Sequence, residues 1–423
     1  MRAKDGPGGN ALSKPRALIV GGSIAGLFAA HLLREVGWDA TVFEKSAEEL
    51  TGRGAGIATH PQLHEVMARV GVPFDASMGV RVESVVLLDT SGQKRDERMT
   101  GRIMSAWARI FHSLKERLPA NACRLGKAFT RLDQDADGVT AHFADGSSER
   151  GDLLVGADGS RSTVREVLAP GEQPRYVNYV AWRAMLDEVA VPAHLRPTFF
   201  ENFSLCLPDG EMCLGYPVPG RNDETTVGRR AYNIVWYRPC DGDLTLPDIC
   251  TDASGRRHLA IPPPLIRPDV IASIKATARA LVTPQHAEIF CRAQPFFQPI
   301  YELAPAHIVF GRVALVGDAA FVVRPHAGAG TTKAGLDASC LADALAAHGL
   351  AQGLAYYERA QMRFGRGLIA LGRHEGDYLS AQVTAKTAAE RQWDVEGVLN
   401  AHVTRSIELG RVYREATSVG APG

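Results

Sequence analysis

Two glycine-rich segments, almost three hundred residues apart, constrain this chain more than any other feature. Gly21-Gly22-Ser23-Ile24-Ala25-Gly26 lies near the N-terminus, and Gly317-Asp318 followed by Arg324-Pro325-His326-Ala327-Gly328-Ala329-Gly330 lies in the last third. Arg16 to Val20 reads as a short buried strand, Ile24 to Val36 as a helix that stops at Gly37, and Asp39 to Glu44 as a second strand. In such a β-α-β unit Gly21 allows the sharp turn, Gly26 lets helix and strand approach, and the free amides of the helix start (Ser23, Ile24, Ala25) face an anion. Glu44, with Lys45 beside it, stands where a carboxylate accepts from ribose hydroxyls. This is the pattern of a dinucleotide site, with Ser23 in place of the middle glycine. The segment alone leaves NAD, FAD and a tight turn without ligand all open.

The rest of the chain predicts an α/β fold in which a first domain is interrupted and resumed. Asp152 to Val155 is a compact apolar strand ending at Gly156-Ala157-Asp158-Gly159, and Val313 to Val316 is another, placed before Gly317. Between them, from about 177 to 300, short runs of aromatic and β-branched residues suggest a mostly β layer: Tyr176 to Met185, Thr198 to Leu207, Met212 to Pro217 and Tyr232 to Tyr237. Residues 335 to 410 are Ala-rich and read as helical. The expected division is a Rossmann-like nucleotide-binding domain over 16–176 and 301–385, with an insertion near 82–100. A substrate-binding domain over 177–300 and a C-terminal helical extension over 386–423 complete it.

Charge and cysteine narrow the class. Lys plus Arg and Asp plus Glu are 47 each, so the net charge is zero, which argues against nucleic acid or an anionic membrane as the main partner. The seven cysteines are scattered, with no ligand spacing for a metal, and read as reduced thiols of a cytoplasmic protein. The polar, Gly-rich start lacks the apolar stretch of a signal peptide, and no run approaches the ~20 apolar residues of a membrane span.

Three signatures in order then carry a resemblance: the first glycine segment, Gly156-Ala157-Asp158-Gly159 running on to Arg165, and Gly317-Asp318-Ala319-Ala320. The chain resembles the single-component FAD-dependent aromatic hydroxylases typified by para-hydroxybenzoate hydroxylase, over about residues 16 to 345. The resemblance implies FAD as cofactor, NADH or NADPH as a transiently bound reductant and O2 as co-substrate. It also implies that oxygen reaches the ring through a C4a-hydroperoxyflavin. No second Gly-x-Gly-x-x-Gly is present, in keeping with a family that has no separate NAD(P)H domain.

The same likeness assigns residues. Asp318 contacts the ribityl-phosphate region, its alternative being a helix N-cap. Asp158 serves both cofactor and nicotinamide nucleotide. Arg53, with Gly54 after it, sits over the ribityl side of a mobile flavin, or is a surface arginine. Pro325, Gly328, Ala329, Gly330, Thr331 and Thr332 line the pyrimidine edge, where negative charge builds up on reduction. The family has Gln and Asn where this chain has Ala329 and Thr332, a departure that bears on how the ring is tuned. Lys333 is expected to be solvated.

Within the family the likeness is to the hydroxypyridine hydroxylases. It rests on the Ser-containing glycine segment, Arg324-Pro325-His326, Tyr179 to Arg183, Tyr216 to Arg221 and Val235-Trp236-Tyr237. The implied substrate is a small hydroxylated aromatic or N-heteroaromatic ring, and a homodimer is the expected assembly. Ring activation needs a proton acceptor, for which His326 is the leading candidate, or else a structural histidine bonded to a carbonyl. Tyr216 and Tyr237 are further catalytic candidates. Trp182, Arg183, Tyr216, Trp236 and His60 are the substrate-contact candidates. The rival readings are the same fold with another outcome, such as epoxidation, and a flavin-binding protein without hydroxylase activity. Halogenation is disfavoured, because the Trp-x-Trp-x-Ile element expected of a flavin halogenase is absent from Thr59 onward.

Overall fold

The computed structural model describes residues 14–48, 50, 56–380 and 395–418. Its first layer is a six-stranded sheet in the spatial order Val309–Phe310, Val313–Leu315, Leu153–Gly156, Arg16–Val20, Asp39–Phe43, Cys123–Arg124. All neighbours pair in parallel except the outermost hairpin, 309–310 with 313–315. Both faces are covered, so the central strands are apolar throughout: every residue of Leu153–Gly156 and Val313–Leu315 is buried. The helix Ile24–Glu35 is buried along most of its length, because it lies between this sheet and the helical segment Gly330–Ser380. That segment is broken at Gly349, whose φ of 70° and ψ of −175° interrupt the helix.

The second layer is an eight-stranded sheet in the order Phe296–Glu302, Arg175–Asp187, Ala231–Pro239, Met212–Val218, Asn202–Cys206, Val80–Leu88, Lys94–Ala106, Gly56–Ala58. It recruits strands from the early part of the chain, joined through the parallel pairing of Asn202–Cys206 with Val80–Leu88. The stretch Thr198 to Leu207 is not one strand: a short helix, Arg196–Phe199, precedes Asn202–Cys206. Pro197 at the first turn of that helix favours its nucleation there.

Side-chain alternation gives this sheet two separate cores. Val180, Trp182, Ala184, Ile234 and Trp236 join one core with the helices Pro268–Leu281 and Pro284–Arg292. Tyr179, Ala181, Val235, Tyr237, Leu214 and Tyr216 join the other, on the face turned towards the glycine segments. The helix Val395–Ser418 packs against Gly330–Ser380 and touches strands of the eight-stranded sheet. Of the helical extension expected over 386–423, the described part is this helix, and its Val398 and Leu399 are buried in the core of the eight-stranded sheet.

Candidate functional site

The three signatures hang from the carboxyl ends of adjacent parallel strands, the edge at which open α/β sheets bind ligands. Ala157 N donates to Val20 O at 2.8 Å, and Val316 N to Gly156 O at 2.9 Å, so the turns after these strands lie side by side. Gly317 has a φ of +60°, and a Cβ there would stand 2.8 Å from that of Ala25. The late signature thus abuts the first turn of the first helix. A Cβ on Gly26 would stand 1.9 Å from the Gly21 carbonyl oxygen, so the turn closes only with glycine.

Ser23 takes the N-cap position in extended backbone but makes no capping bond, which leaves the first-turn amides of Ile24 and Ala25 for another acceptor. Gly22 N donates to Glu44 Oε2 at 2.7 Å, and Ser46 N to Glu44 Oε1 at 2.9 Å. A cavity of about 260 Å³ opens here, lined by Gly21, Ser23, Glu44, Lys45 and Asp158 among others. Amides for a phosphate and a carboxylate for a ribose are the donor and acceptor set that the adenosine half of FAD requires. Arg53 and Gly54 lie outside the described residues.

Asp158 lines the same cavity, but its carboxylate faces a helix start. Ser162 Oγ donates to Oδ1 at 2.5 Å and Thr163 N to Oδ2 at 2.7 Å, so Asp158 holds the first turn of Thr163–Leu168. Burial raises its pKa against these hydrogen bonds. Arg165, buried on that helix, donates to Ser160 O at 2.5 Å, Glu172 O at 3.0 Å and Ala319 O at 2.8 Å. The middle signature is therefore clamped to the late one by one guanidinium.

Asp318 caps no helix; it sits inside the short turn Gly317–Ala319. It is exposed to a second cavity, where the surrounding protein displaces water and raises its carboxyl, with Lys333 opposing, Asp337 adding and Arg165 opposing. A carboxylate with no hydrogen bond among the described residues is a ready acceptor for a ribityl hydroxyl. Lys333 is not solvated. It is 1 % exposed and donates to Gly317 O at 2.7 Å and to Asp337 Oδ2 at 2.6 Å, while Gly317 N donates to the same Oδ2 at 2.8 Å. Contact with Phe321 and the closed glycine turn shut water out.

The second cavity, of about 240 Å³, lies between the eight-stranded sheet and the loop Pro325 to Thr331. Pro325, Gly328, Ala329, Gly330 and Thr331 form its wall; Thr332 is wholly buried behind it, with its hydroxyl unpartnered. Arg183, Tyr216 and Tyr237 face it from the sheet. Tyr216 Oη donates to Gly56 O at 3.0 Å, and burial raises its pKa against the opposing charges of Arg183 and Arg405. Burial pushes Tyr237 up to about 12, so both phenols are neutral donors at working pH. Trp182 and Trp236 are one residue out of phase: each lies on the opposite face, packed on Phe297 and Phe290 respectively. Neither touches the cavity.

His60 is not on the wall either. Its Nε2 bonds Gly328 O at 3.2 Å, so Nε2 carries the proton, and Nδ1 accepts from Ser406 Oγ at 3.1 Å. It positions the glycine loop. His326 does face the cavity, beside Tyr237 with ring centroids 4.6 Å apart, and Nε2 lies 2.8 Å from Tyr179 Oη rather than from a carbonyl. Its Nδ1 has no partner. Burial first, then the charges of Arg405 and Arg324, hold it at about 3. His326 is thus a neutral imidazole, a relay at most and not a proton sink.

Tyr179, His402 and Arg405 were missed in the sequence. Tyr179 shares the alternation of Arg183, a signal present in the strand pattern. His402 and Arg405 line the cavity from the last helix, three residues apart and so on one face. Among the described residues no group of His, Cys, Asp and Glu could hold a metal, and no helix is long and apolar enough to cross a membrane.

The buried histidines set an acid limit. His60, His286 and His326 are each held at about 3, chiefly by burial, against an unfolded value near 6.5. Between those values the unfolded chain binds more protons, so their contribution is complete above pH 6.5. It declines below by up to ~1.4 kcal/mol per pH unit for each histidine. Urea unfolding is expected to give a clearly lower midpoint at pH 5 than at pH 7. A flat profile over that interval would contradict the burial assigned to these rings.

Comparison with known proteins agrees with the geometry. Residues 14–194 match an FAD binding domain, and residues 176–302 a domain described as FAD binding domain-like. The 2,6-dihydroxypyridine 3-monooxygenase of Paenarthrobacter nicotinovorans is 30% identical over 357 residues, covering 84% of this chain and 89% of that protein. The 6-hydroxynicotinate 3-monooxygenase of Bordetella bronchiseptica is 27% identical, covering 78% and 82%. The solved structure of 2,6-dihydroxypyridine-3-hydroxylase from Arthrobacter nicotinovorans superposes with a TM-score of 0.79 at 30% identity, covering 85% of this chain and 91% of that one. Three signatures at one sheet edge, an acceptor and donor set suited to FAD, and this likeness along most of the chain lead to one assignment: the protein belongs to the FAD-dependent aromatic hydroxylases.

Proposed function

We propose that this flavoprotein monooxygenase hydroxylates a small N-heteroaromatic ring that already carries a hydroxyl group, of the hydroxypyridine type. The observation that carries the reading is the cavity of about 240 Å³ between the tyrosine-bearing face of the sheet and the loop Pro325 to Thr331. Arg183, Tyr216 and Tyr237 face it from the sheet, polar groups that suit the oxygens of a hydroxylated ring lying against the flavin edge. Two relatives whose names specify a dihydroxypyridine and a hydroxynicotinate support the choice of ring. We place the enzyme in the cytoplasm, in keeping with seven cysteines that are all free thiols.

When bound, FAD supplies the redox chemistry, taking reducing equivalents from NADH or NADPH and activating O2 for transfer of one oxygen atom. Glu44, the first-turn amides of Ile24 and Ala25, and Asp318 would hold it at three points along its length. Met212, Leu214 and Val235 line the ring site with apolar side chains, which excludes water that would discharge an activated oxygen. Tyr237 donates to a ring oxygen, Tyr216 Oη offers an acceptor because its proton is held by Gly56 O, and His326 is hydrogen-bonded to Tyr179. A hydroxylated ring is attacked more readily once its hydroxyl has lost a proton. With His326 held near 3, that loss is driven by positive charge around the ring rather than by a neutral-pH base.

The reading is tested with FAD-loaded protein, NADH and a panel of hydroxypyridines and hydroxybenzoates. Hydroxypyridines are expected to raise NADH oxidation at least ~10-fold with a matching yield of hydroxylated ring, in line with general acid–base and positioning effects. Stimulation by benzoates alone would move the substrate class, and stimulation by no ring would sink the reading.

A further inference from the structure

The proposed hydroxylase reading leaves open how a hydroxypyridine would be held, and the last helix supplies groups for it. Arg405 is 5 % exposed and lines the ring cavity, with its Nε unpartnered. Its nearest carboxylate, Glu375 Oε2, lies at 3.3 Å but off hydrogen-bond alignment, and that oxygen is unpartnered too. Such a loosely joined pair is open to a third member.

The local charge is unbalanced. Arg102 donates to the His402 carbonyl and is pushed down to about 10 by burial and by the like charge of Arg405. Across the cavity Arg183 donates to the neutral Gln298 at 2.9 Å, and its buried Nε has no partner. No carboxylate stands within 4.0 Å of Arg183 among the described residues. Among the described residues, Arg102 and Arg405 therefore share the carboxylate of Glu375, and Arg183 pairs with none. Arg324 is already paired with Glu302, and Asp318 is answered by Lys333 and Arg165. Excess positive charge in a water-poor site is costly unless an anion joins it.

His402 adds direction. Its Nδ1 lies 2.9 Å from Val398 O, so Nδ1 carries the proton and Nε2 is a bare acceptor. That Nε2 is buried, unpartnered and on a side chain lining the cavity. One turn of helix thus presents a cationic donor and a neutral acceptor side by side. An anionic ring oxygen next to a ring N–H, the edge of a 2,6-dihydroxypyridine that has lost one of its two protons, is the complement of that pair.

We propose that the C-terminal helix reads this edge, Arg405 binding the anionic ring oxygen and His402 Nε2 accepting from the adjacent ring N–H. This rests on the hydroxypyridine reading and extends it: the substrate is taken as its monoanion, in one orientation. A neutral ring loses the charged contact with Arg405, and one alkylated at nitrogen loses the contact with His402.

The test is a titration of FAD-loaded protein without NADH, following the flavin spectrum, with 2,6-dihydroxypyridine, its monomethyl ether and its N-methyl derivative. The parent ring is expected to bind at least ~10-fold more tightly than either derivative, the range of a lost charged hydrogen bond. In Arg405→Gln the affinity for the parent falls about 30-fold or more, and the preference over the ether disappears. Glu375→Gln acts in the opposite direction, tightening the parent several-fold by freeing Arg405. An Arg405→Gln protein that keeps its FAD and binds the parent within ~3-fold of the original would overturn the assignment. So would a variant with a changed flavin potential and unchanged ring affinity, since the charge would then belong to the flavin. Should Arg405→Gln not fold, absence of tightening in Glu375→Gln decides against the proposal. Ring binding that depends on Arg405 without any turnover would defeat the hydroxylase reading and support this one; turnover indifferent to Arg405 would do the reverse.

Discussion

Gly26→Ala is expected to yield protein that folds but emerges nearly colourless. The added methyl would stand 1.9 Å from the Gly21 carbonyl oxygen, well inside any real contact, and that oxygen belongs to backbone rather than to a flexible side chain. Relief requires the helix Ile24–Glu35 to withdraw from the strand Arg16–Val20, which carries the first-turn amides away from the phosphate position. Overpacking of this kind costs about 3 kcal/mol, or on the order of 100-fold in FAD affinity. Flavin absorbance per protein after purification, followed by titration of the stripped protein with FAD, measures it. Unchanged affinity would mean that the cofactor does not rest on this turn.

Lys333→Met should cost more in stability than any surface change. It leaves Asp337, which is 2 % exposed, as a carboxylate without its cation, and it removes the donor to Gly317 O. Breaking a buried pair from one side costs about 3–5 kcal/mol, whereas replacing both partners by apolar groups is often close to neutral. Urea unfolding should therefore show a large loss for Lys333→Met and substantial recovery when Asp337→Leu is added. Recovery stays incomplete, because Gly317 N then has no acceptor. FAD retention should fall in the single variant as well, since the pair holds the turn that carries Asp318. A loss below ~1 kcal/mol in the single variant would show that the pair is wetter than its burial indicates.

The parallel strands could be read in the sequence because burial on both faces makes them uniformly apolar, and the turns after them because phosphate approach demands glycine. The facing of the second sheet could not. Alternation separates Trp182 from Arg183 and Trp236 from Tyr237, but it does not say which set meets the cavity. That depends on where the helices Pro268–Leu281 and Pro284–Arg292 dock. The family likeness gives Asp158 to the cofactor, while Ser162 and Thr163 behind it carry the local signal of a helix start; the carboxylate lines the cofactor cavity and also serves that helix start. Lys333 and Asp337 have the spacing of a helical ion pair; their burial comes from a turn sixteen residues upstream. His402 and Arg405 carry no local motif, because their proximity to the ring site is created only when the last helix folds back. Arg405 then changes the acid–base picture drawn from His326, since its charge helps to keep that imidazole neutral.

The account stands on oxygen transfer to a ring by the FAD-loaded protein. Turnover of a hydroxypyridine with NADH under isotopically labelled dioxygen tests it most directly, with NADH consumption, hydrogen peroxide and ring product measured in the same vessel. The expected result is a hydroxylated ring bearing a single labelled oxygen atom, formed in step with NADH consumption and with little peroxide. NADH oxidation that ends wholly in peroxide, or a product without label, across the full ring panel would contradict it.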